Sequence, residues 1–319
     1  MKDSQLPFFL TLIVGLFLFA GSVSAQPRKG NLNQNVRTVT IPISIYTKEE
    51  LRQGQLEEFV QADNLTVTED KEEQEILSIR SVANTPLAIA ILIQDDLGGN
   101  FNLQLPDIAK FIRNLPKGSR VFVGYLRSGN IDVRQRFTDD LEKAARSLRI
   151  VSGNAALAPR NPYDGIISAL ERFDALPAGR RAILLFSDGL DASNGFDGIS
   201  PSSSLDLDRA ILRSQRRGVA VYSIYSPATL TEVGTSRLVL NAQGSLIRLS
   251  DETGGRAFFQ GSLAAVSFQP FFKDLGILLN RQFALTYLSR NMERGYHKIE
   301  VTSSNPAVKI EHPKGYYYR

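Results

Sequence analysis

The chain has no cysteine and only two histidines, which limits the cross-links, nucleophiles and metal sites that it can form. Without cysteine there are no disulfides, so an exported protein of this sequence depends on its hydrophobic core alone. Thiolate nucleophiles, cysteine-based metal sites and a lipoprotein anchor are excluded as well. The two histidines, His297 and His312, both lie in the β-rich C-terminal part, where a lone histidine is typical of a structural or solvated residue.

Motifs for enzymatic chemistry are also missing. No Gly-x-Ser-x-Gly elbow, phosphate-binding loop or dinucleotide glycine fingerprint occurs. The adjacent carboxylates Asp139 and Asp140 are better explained as the N-cap of a helix that runs to about Ile150 than as an acid–base pair. We therefore predict that the protein is not an enzyme, and a hydrolase with an unrecognised site is the less favoured alternative. No dense basic stripe is present, so nucleic acid is not expected as a partner.

The N-terminus predicts export. Lys2 precedes an apolar run from Phe8 to Ala20, and Val23-Ser24-Ala25 is typical of a signal-peptide cleavage site. The run is shorter than the ~20 residues that a membrane-spanning helix needs. We expect residues 1–25 to be a cleaved signal peptide and 26–35 a polar linker. The mature protein is then periplasmic or extracellular, with no membrane insertion.

Both ends of the mature chain are predicted to form β-strands. Val36 to Tyr46 alternates apolar and polar residues, and Leu65–Thr68 with Gln74–Arg80 predicts a hairpin. Residues 282–319 contain further strands without helices between them. We expect segments 36–84 and 282–319 to form one small β module.

The middle of the chain, 85–281, alternates strands and helices. The apolar runs Leu87–Ile93 and Ala182–Phe186 predict strands buried on both faces. Such alternation predicts an α/β fold: a doubly wound, mostly parallel sheet with one antiparallel edge strand. Two helices are predicted to end the segment, over Leu246–Thr253 and Leu263–Asn280, and the polar stretch 226–244 is interpreted as an insertion.

Acidic residues follow both buried strands. Asp95 and Asp96 end the first, Asp188 ends the second, and Asn100 lies in the loop beyond the first. Since ligands of open α/β sheets bind at the carboxyl ends of the strands, these residues are the candidate binding site.

These motifs carry a family resemblance. The strand ending in an acidic glycine turn, Tyr163-Asp164-Gly165-Ile166 and Ile183–Gly189 resemble a von Willebrand factor A domain. The flanks, with Val67–Ile76 and Tyr296–Val301, resemble the VWFA-related family of exported bacterial proteins that is abundant in acidobacteria. The resemblance implies an interaction or adhesion module that binds an unidentified protein partner through the loops at the strand carboxyl ends.

The family's metal-ion-dependent adhesion site holds Mg²⁺ with Asp-x-Ser-x-Ser, a Thr and a second Asp. Aligned with it, Asp95 and Asp188 match the two Asp positions, whereas Leu97 and Gly99 replace both Ser residues. Arg160 stands where the Thr belongs, and a slip of one residue would give Asn161 or Pro159. Because a leucine cannot coordinate a cation, we expect a degenerate site without a cofactor.

Three interpretations of this site stay open. In the first, the Arg160 guanidinium lies between Asp95 and Asp188 and replaces the metal. In the second, Mg²⁺ binds through Asp95 and Asp188, which makes the module a cation-dependent adhesion protein. In the third, these aspartates only form the turns that end their strands.

Overall fold

The structure is a computed structural model that describes residues 36–53, 65–128, 130–159, 161–176, 179–193, 200–232, 235–261 and 263–318. The predicted signal peptide and linker lie outside the described residues. Within the described part of the chain, no helix is both long enough and apolar enough to cross a membrane.

The chain forms two sheets, of which the first is mostly parallel. Its six strands run in the order β6-β5-β4-β7-β8-β9, and only the edge strand β6 is antiparallel to its neighbour. The predicted α/β fold with a mostly parallel sheet is thus confirmed. The strands are β4 (Leu87–Gln94), β5 (Arg120–Arg127), β6 (Asn130–Thr138), β7 (Arg180–Ser187), β8 (Ala220–Tyr225) and β9 (Ala257–Phe258).

Helices cover both faces of this sheet and bury its apolar strands in two separate cores. Helices α2, α3 and α8 pack on one face, and α4, α5 and α7 pack on the other. The helices are α1 (Lys48–Gln53), α2 (Leu105–Arg113), α3 (Leu141–Arg146), α4 (Tyr163–Arg172), α5 (Leu205–Arg217), α6 (Thr229–Glu232), α7 (Ser236–Thr253) and α8 (Gln269–Asn280), with short 3-10 turns at Gly99–Gln104, Ala155–Leu157 and Phe173–Ala175.

The helix boundaries required three corrections. Helix α7 begins at Ser236 rather than at Leu246, because Val239 and Ala242 extend its buried face toward the amino end, while Leu240 between them is exposed. The stretch 226–244 is therefore largely helical and not an insertion. Helix α3 ends at Arg146 rather than near Ile150, and α8 begins at Gln269 rather than at Leu263.

The second sheet is antiparallel and joins both ends of the described chain. Its order is β12-β1-β10-β3-β2-β11-β13. Strand β3 pairs with β10 through Glu75–Ser81 and with β2 through Glu72–Gln74, so it links the two halves of the sheet. The strands are β1 (Arg37–Thr47), β2 (Leu65–Glu69), β3 (Glu72–Ser81), β10 (Gln282–Ser289), β11 (Gly295–Ser303), β12 (Val308–Glu311) and β13 (Gly315–Tyr318).

Apolar side chains of the antiparallel sheet form a third hydrophobic core. Val39, Ile41 and Ile43 of β1 pack with Val67 of β2 and Val301 of β11. Both sheets belong to one compact unit that begins at Asn35. The division into a β module (36–84 with 282–319) and an A-type segment (85–281) stays a prediction.

Arg180, at the start of β7, connects the two sheets. It is 8 % exposed, and its guanidinium donates to the carbonyls of Ala83 (2.9 Å) and Thr85 (3.0 Å), which precede β4. It also donates to the Leu279 carbonyl (2.6 Å) and to the Gln282 side chain (2.7 Å), where α8 leads into β10. The Arg180 side chain therefore binds both chain segments that connect the two sheets. Burial lowers the pKa of its guanidinium.

Replacing Arg180 with alanine is expected to destabilise the protein by about 2–4 kcal/mol, because three backbone carbonyls lose their donor in a buried region. Urea unfolding at neutral pH measures this change. Arg120→Ala, which removes an exposed arginine at the start of β5, is the control and should change stability by less than about 0.5 kcal/mol. Equal effects of the two substitutions would contradict the role given to Arg180.

Candidate functional site

Asp95 lies at the carboxyl end of β4, and its carboxylate is fully buried. Arg149 donates to both of its oxygens, Nη1 to Oδ1 at 2.7 Å and Nη2 to Oδ2 at 3.0 Å. The Arg127 Nε lies 2.7 Å from the same Oδ2 as a second ion-pair partner. Since a buried charge is tolerated only when it is paired and hydrogen-bonded, these two guanidinium groups explain how Asp95 can be buried.

The position of Arg149 is itself fixed by its surroundings. Its guanidinium lies 4.0 Å from the centre of the Tyr125 ring and donates to Asp132 at 3.1 Å. The Tyr125 hydroxyl accepts from the Arg149 backbone N–H (2.8 Å) and donates to its carbonyl (2.5 Å). The hydrogen bonds to Asp95 raise the pKa of Arg149, so this residue is a permanent cation at the end of β4.

A second group of polar side chains lies on the other side of the same strand end. Gln94 donates through Nε2 to Asp96 Oδ1 (2.9 Å), and its Oε1 accepts from the Ser187 hydroxyl (2.6 Å) and from the Asp188 N–H (3.3 Å). Gln94 thus joins the ends of β4 and β7. Asp96 and Asp188 are both buried and flank this glutamine.

Only neutral groups contact Asp96 and Asp188 among the described residues. Thr229 donates to Asp96 (3.0 Å), Thr231 donates to Asp188 (3.2 Å), and the Leu190 N–H donates to Asp188 (3.1 Å). Burial raises the pKa of Asp96, and burial, with repulsion from Asp96, raises the pKa of Asp188 to about 6. The two aspartates therefore form a carboxylate pair whose charge is not compensated within the described residues.

The structure groups the predicted residues differently from the alignment. Asp188 shares Gln94 with Asp96, whereas Asp95 faces Arg127 and Arg149. The interpretations that place a cation between Asp95 and Asp188 stay predictions. Side chains at the end of an extended strand alternate between its two sides, which places residues 94 and 96 together.

The remaining predicted site residues have separate positions. Asn100 is exposed in the 3-10 turn after β4. Asn161 is buried, and its Oδ1 accepts from the backbone N–H groups of Tyr163 and Asp164 at the start of α4 (2.9 and 3.0 Å). Asn161 therefore caps a helix. Arg160 lies outside the described residues, so the hypothesis about its guanidinium stays a prediction.

Sequence reasoning missed five residues that build the site, namely Gln94, Arg127, Arg149, Thr229 and Thr231. Strand alternation could have indicated Gln94. Arg149 comes after the end of α3, and the two threonines lie in the stretch that was interpreted as an insertion. No local pattern marks these three, because only the tertiary fold brings them to the strand ends.

The two carboxylate environments differ in how well they fit a metal ion. Both oxygens of Asp95 are occupied by arginine donors, and the neighbouring Leu97 is fully buried, so the surroundings of Asp95 do not suit Mg²⁺. Asp96 and Asp188, with the two threonine hydroxyls, offer the oxygen ligands that Mg²⁺ prefers. If this site holds a cation, the second group is the one that fits it.

The solved structures that are similar to this chain include von Willebrand A domains. No protein-family model matches the chain, and no curated protein sequence matches it. An aerotolerance-related membrane protein from Bacteroides fragilis is 14 % identical and covers 61 % of this chain and 98 % of its own, with a TM-score of 0.41. A von Willebrand factor type A protein from Catenulispora acidiphila is 9 % identical and covers 81 % of this chain and 75 % of its own, with a TM-score of 0.43.

Manganese-loaded TRAP protein from Plasmodium vivax is also similar, at 13 % identity, covering 74 % of this chain and 96 % of its own, with a TM-score of 0.40. The fold assignment itself rests on the strand order of this chain. Taken from β4 onward, that order is 3-2-1-4-5-6, the doubly wound arrangement whose ligands bind at the carboxyl ends of the strands.

Asp188→Asn is expected to stabilise the protein at pH 7. The pKa of Asp188 in the folded protein is about 6, above its ordinary value of 3.8. Between these two pH values the folded wild type keeps a proton that the unfolded chain has lost, so its free energy of unfolding falls as the pH rises. The variant lacks that loss, and its advantage at pH 7 should be about 2 kcal/mol and should vanish near pH 4. Urea unfolding at both pH values measures it.

The exposed Asp139 provides the matched control, because Asp139→Asn should change stability equally at both pH values. A destabilised Asp188→Asn protein at pH 7 would show instead that a cation compensates this carboxylate.

Arg149→Met should destabilise the protein by about 2–4 kcal/mol, because Asp95 then stays buried with a single guanidinium partner. Asp95→Asn in the same chain should recover part of this loss, since the neutral amide needs no counter-charge. A double-mutant cycle measured by urea unfolding gives the coupling energy. A coupling near zero would contradict the role assigned to this ion pair.

Proposed function

We propose that this protein is an exported, non-enzymatic protein-interaction module of the von Willebrand A type. Its partner binds at the carboxyl-end face of the parallel sheet, around Asp95, Asp96, Asn100 and Asp188. The contact does not require a bridging metal at Asp95, because arginine side chains occupy the position where a cation would bind that carboxylate.

The single observation that supports this proposal most is the bidentate contact between Arg149 and Asp95. In a metal-bridged contact, the cation keeps an open coordination position for an acidic group of the partner. Here the guanidinium fills the carboxylate's coordination positions from within the chain. Arg127, whose side chain is 38 % exposed, and the half-buried Asp132 extend this charged network towards solvent.

The carboxylate pair supports a second candidate, a Mg²⁺-dependent adhesion module. The alignment assigned that role to Asp95 and Asp188, whereas the structure favours Asp96 and Asp188 with Thr229 and Thr231 as the ligand set. The hydrolase alternative has weaker support. His312 accepts a hydrogen bond from the Val301 N–H (3.3 Å), and burial lowers its pKa to about 4, so it acts as a structural residue.

Thermal unfolding with and without Mg²⁺ separates the two interaction hypotheses. A ligand present at a hundred times its dissociation constant stabilises the folded state by about 2.7 kcal/mol, which raises the melting temperature by several degrees. We expect no rise with millimolar Mg²⁺. A rise that Asp188→Asn abolishes would support the cation-dependent alternative and overturn the metal-independent one.

The interaction face is tested by a pair of matched substitutions. Asn100→Arg places a bulky charge on the proposed face, and Asn114→Arg places the same charge at the exposed carboxyl end of α2. With the immobilised chain and a native envelope fraction, Asn100→Arg should reduce capture of the bound protein at least tenfold, with and without EDTA. Asn114→Arg should leave capture unchanged. Equal capture by both variants would contradict the assignment of the face.

A further inference from the structure

We propose a second site in the antiparallel sheet, away from the interaction face: a site for a divalent transition-metal ion of the Zn²⁺ class formed by Glu69, Asp70 and His297. One ligand atom from each of these residues lies within 4.8 Å of the other two. The His297 Nδ1 lies 2.8 Å from Asp70 Oδ2 and 3.6 Å from Glu69 Oε1. Atoms that bind one metal at ~2.0–2.2 Å are separated by comparable distances.

Neighbouring strands hold the three residues in place. Glu69 ends β2, Asp70 follows it in the turn to β3, and His297 lies on β11, which pairs with β2. The backbone N–H of Asp70 donates to the Lys298 carbonyl (2.9 Å), and the Lys298 N–H donates to Asp70 Oδ1 (2.9 Å). The positions of the ligand atoms are therefore set by the sheet itself.

Hydrogen bonds orient the His297 ring. Its Nε2 lies 2.9 Å from the Glu293 carbonyl oxygen, which can only accept, so Nε2 carries a hydrogen. The Asn291 Oδ1 accepts from the Glu293 N–H (2.9 Å), which fixes its amide orientation. The Asn291 Nδ2 donates to Asp70 Oδ2 (3.0 Å) and lies 3.2 Å from His297 Nδ1, so Asn291 holds both side chains in place.

At 2.8 Å, His297 Nδ1 and Asp70 Oδ2 share either a proton or a metal ion. A metal ion bound by these two atoms takes the place of that proton. The bond from Nε2 to a backbone carbonyl is also the usual way in which a metal-binding histidine is oriented.

Glu69 gives an independent indication that this position suits a cation. It is 1 % exposed, and its Oε1 accepts from Ser289 (2.9 Å) and Tyr316 (2.8 Å). Its Oε2 is buried and has no hydrogen-bond partner among the residues that the structure describes. An unpartnered buried carboxylate oxygen is costly. Arg37 is 3.4 Å from Oε1 and balances only one of the two carboxylates.

The surroundings allow a metal ion to reach the site. The Asp70 side chain is 39 % exposed, and a cleft beside it is lined by Glu72, Arg290 and Asn291. An imidazole nitrogen with two carboxylates is a ligand set for Zn²⁺ and similar ions, whereas Mg²⁺ and Ca²⁺ prefer oxygen alone.

Calorimetric titration of the metal-free full chain with ZnCl₂ at pH 7.5, with metal analysis after gel filtration, tests this site. We expect one Zn²⁺ per chain, and Asp70→Asn should weaken binding at least tenfold. Glu72→Gln is the matched control, because it removes the same charge from the same hairpin outside the ligand set, and it should change the affinity less than threefold.

His297→Gln should also abolish binding, and the melting curve of each metal-free variant verifies that it is folded. A wild-type chain that takes up no Zn²⁺ would assign a proton, rather than a metal, to the space between Nδ1 and Asp70 and would overturn the proposal. An equal loss of Zn²⁺ affinity in Asp70→Asn and Glu72→Gln would show that only unspecific electrostatic attraction binds the ion, and would overturn the proposal as well. Since none of these measurements involves a partner or Mg²⁺, their outcome is independent of the proposed function.

Discussion

The buried negative charge of Asp95 is the constraint that determines the structure around the carboxyl ends of the parallel strands. A carboxylate that is wholly removed from water must be matched by opposite charge and by hydrogen bonds. Arg149 and Arg127 supply both, and Tyr125 holds Arg149 by its ring and its hydroxyl. The chain after α3 accordingly turns back over the end of β4. There the backbone N–H groups of Ser152 and Gly153 donate to the Asp95 carbonyl (2.9 and 3.1 Å).

The neighbouring pair, Asp96 and Asp188, shows the contrasting case. These carboxylates are equally buried, but the described residues give them only hydroxyl, amide and backbone donors. Burial therefore acts on their pKa values, which rise, whereas in the Asp95 network the ion pair acts on Arg149. The carboxyl ends of the parallel strands thus carry two different groups. The charge of Asp95 is compensated by arginines, whereas Asp96 and Asp188 can take up a proton or a cation. These two groups are the physical basis of the two interaction hypotheses.

Much of this fold could be predicted from the sequence, because its strongest signals are local. The apolar runs Leu87–Ile93 and Ala182–Phe186 are buried strands of the parallel sheet, as their composition predicted. The first turns of α7 could not be predicted in the same way. Their buried positions include Gln243 and Ser245 beside Val239 and Ala242, whereas Leu240 is exposed, so the apolar residues alone do not mark the buried face.

The candidate site was less predictable than the fold, since it depends on side chains that meet only in the folded chain. The acidic residues at the strand ends could be identified because carboxyl ends of parallel strands converge. Their partners could not. Arg149 is separated from Asp95 by 54 positions and Thr229 from Asp96 by 133. The alignment with the adhesion-site motif considered Asp95 and Asp188 together, whereas Gln94 joins Asp188 to Asp96, because successive side chains of a strand point to opposite sides.

Arg180 adds the last element to this architecture, because it fixes the opposite end of the same sheet. Its four hydrogen-bonded acceptors lie on the segments that enter β4 and leave α8, so both connections to the antiparallel sheet meet at one buried guanidinium. The amino ends of β4 and β7 are therefore tied to the second sheet, and their carboxyl ends, with Asp95 and Asp188, face away from it along the strands. In a parallel sheet the two ends of a strand are separated by its whole length. The sequence segments that join the sheets can thus be held rigid without occupying the face where a partner would bind.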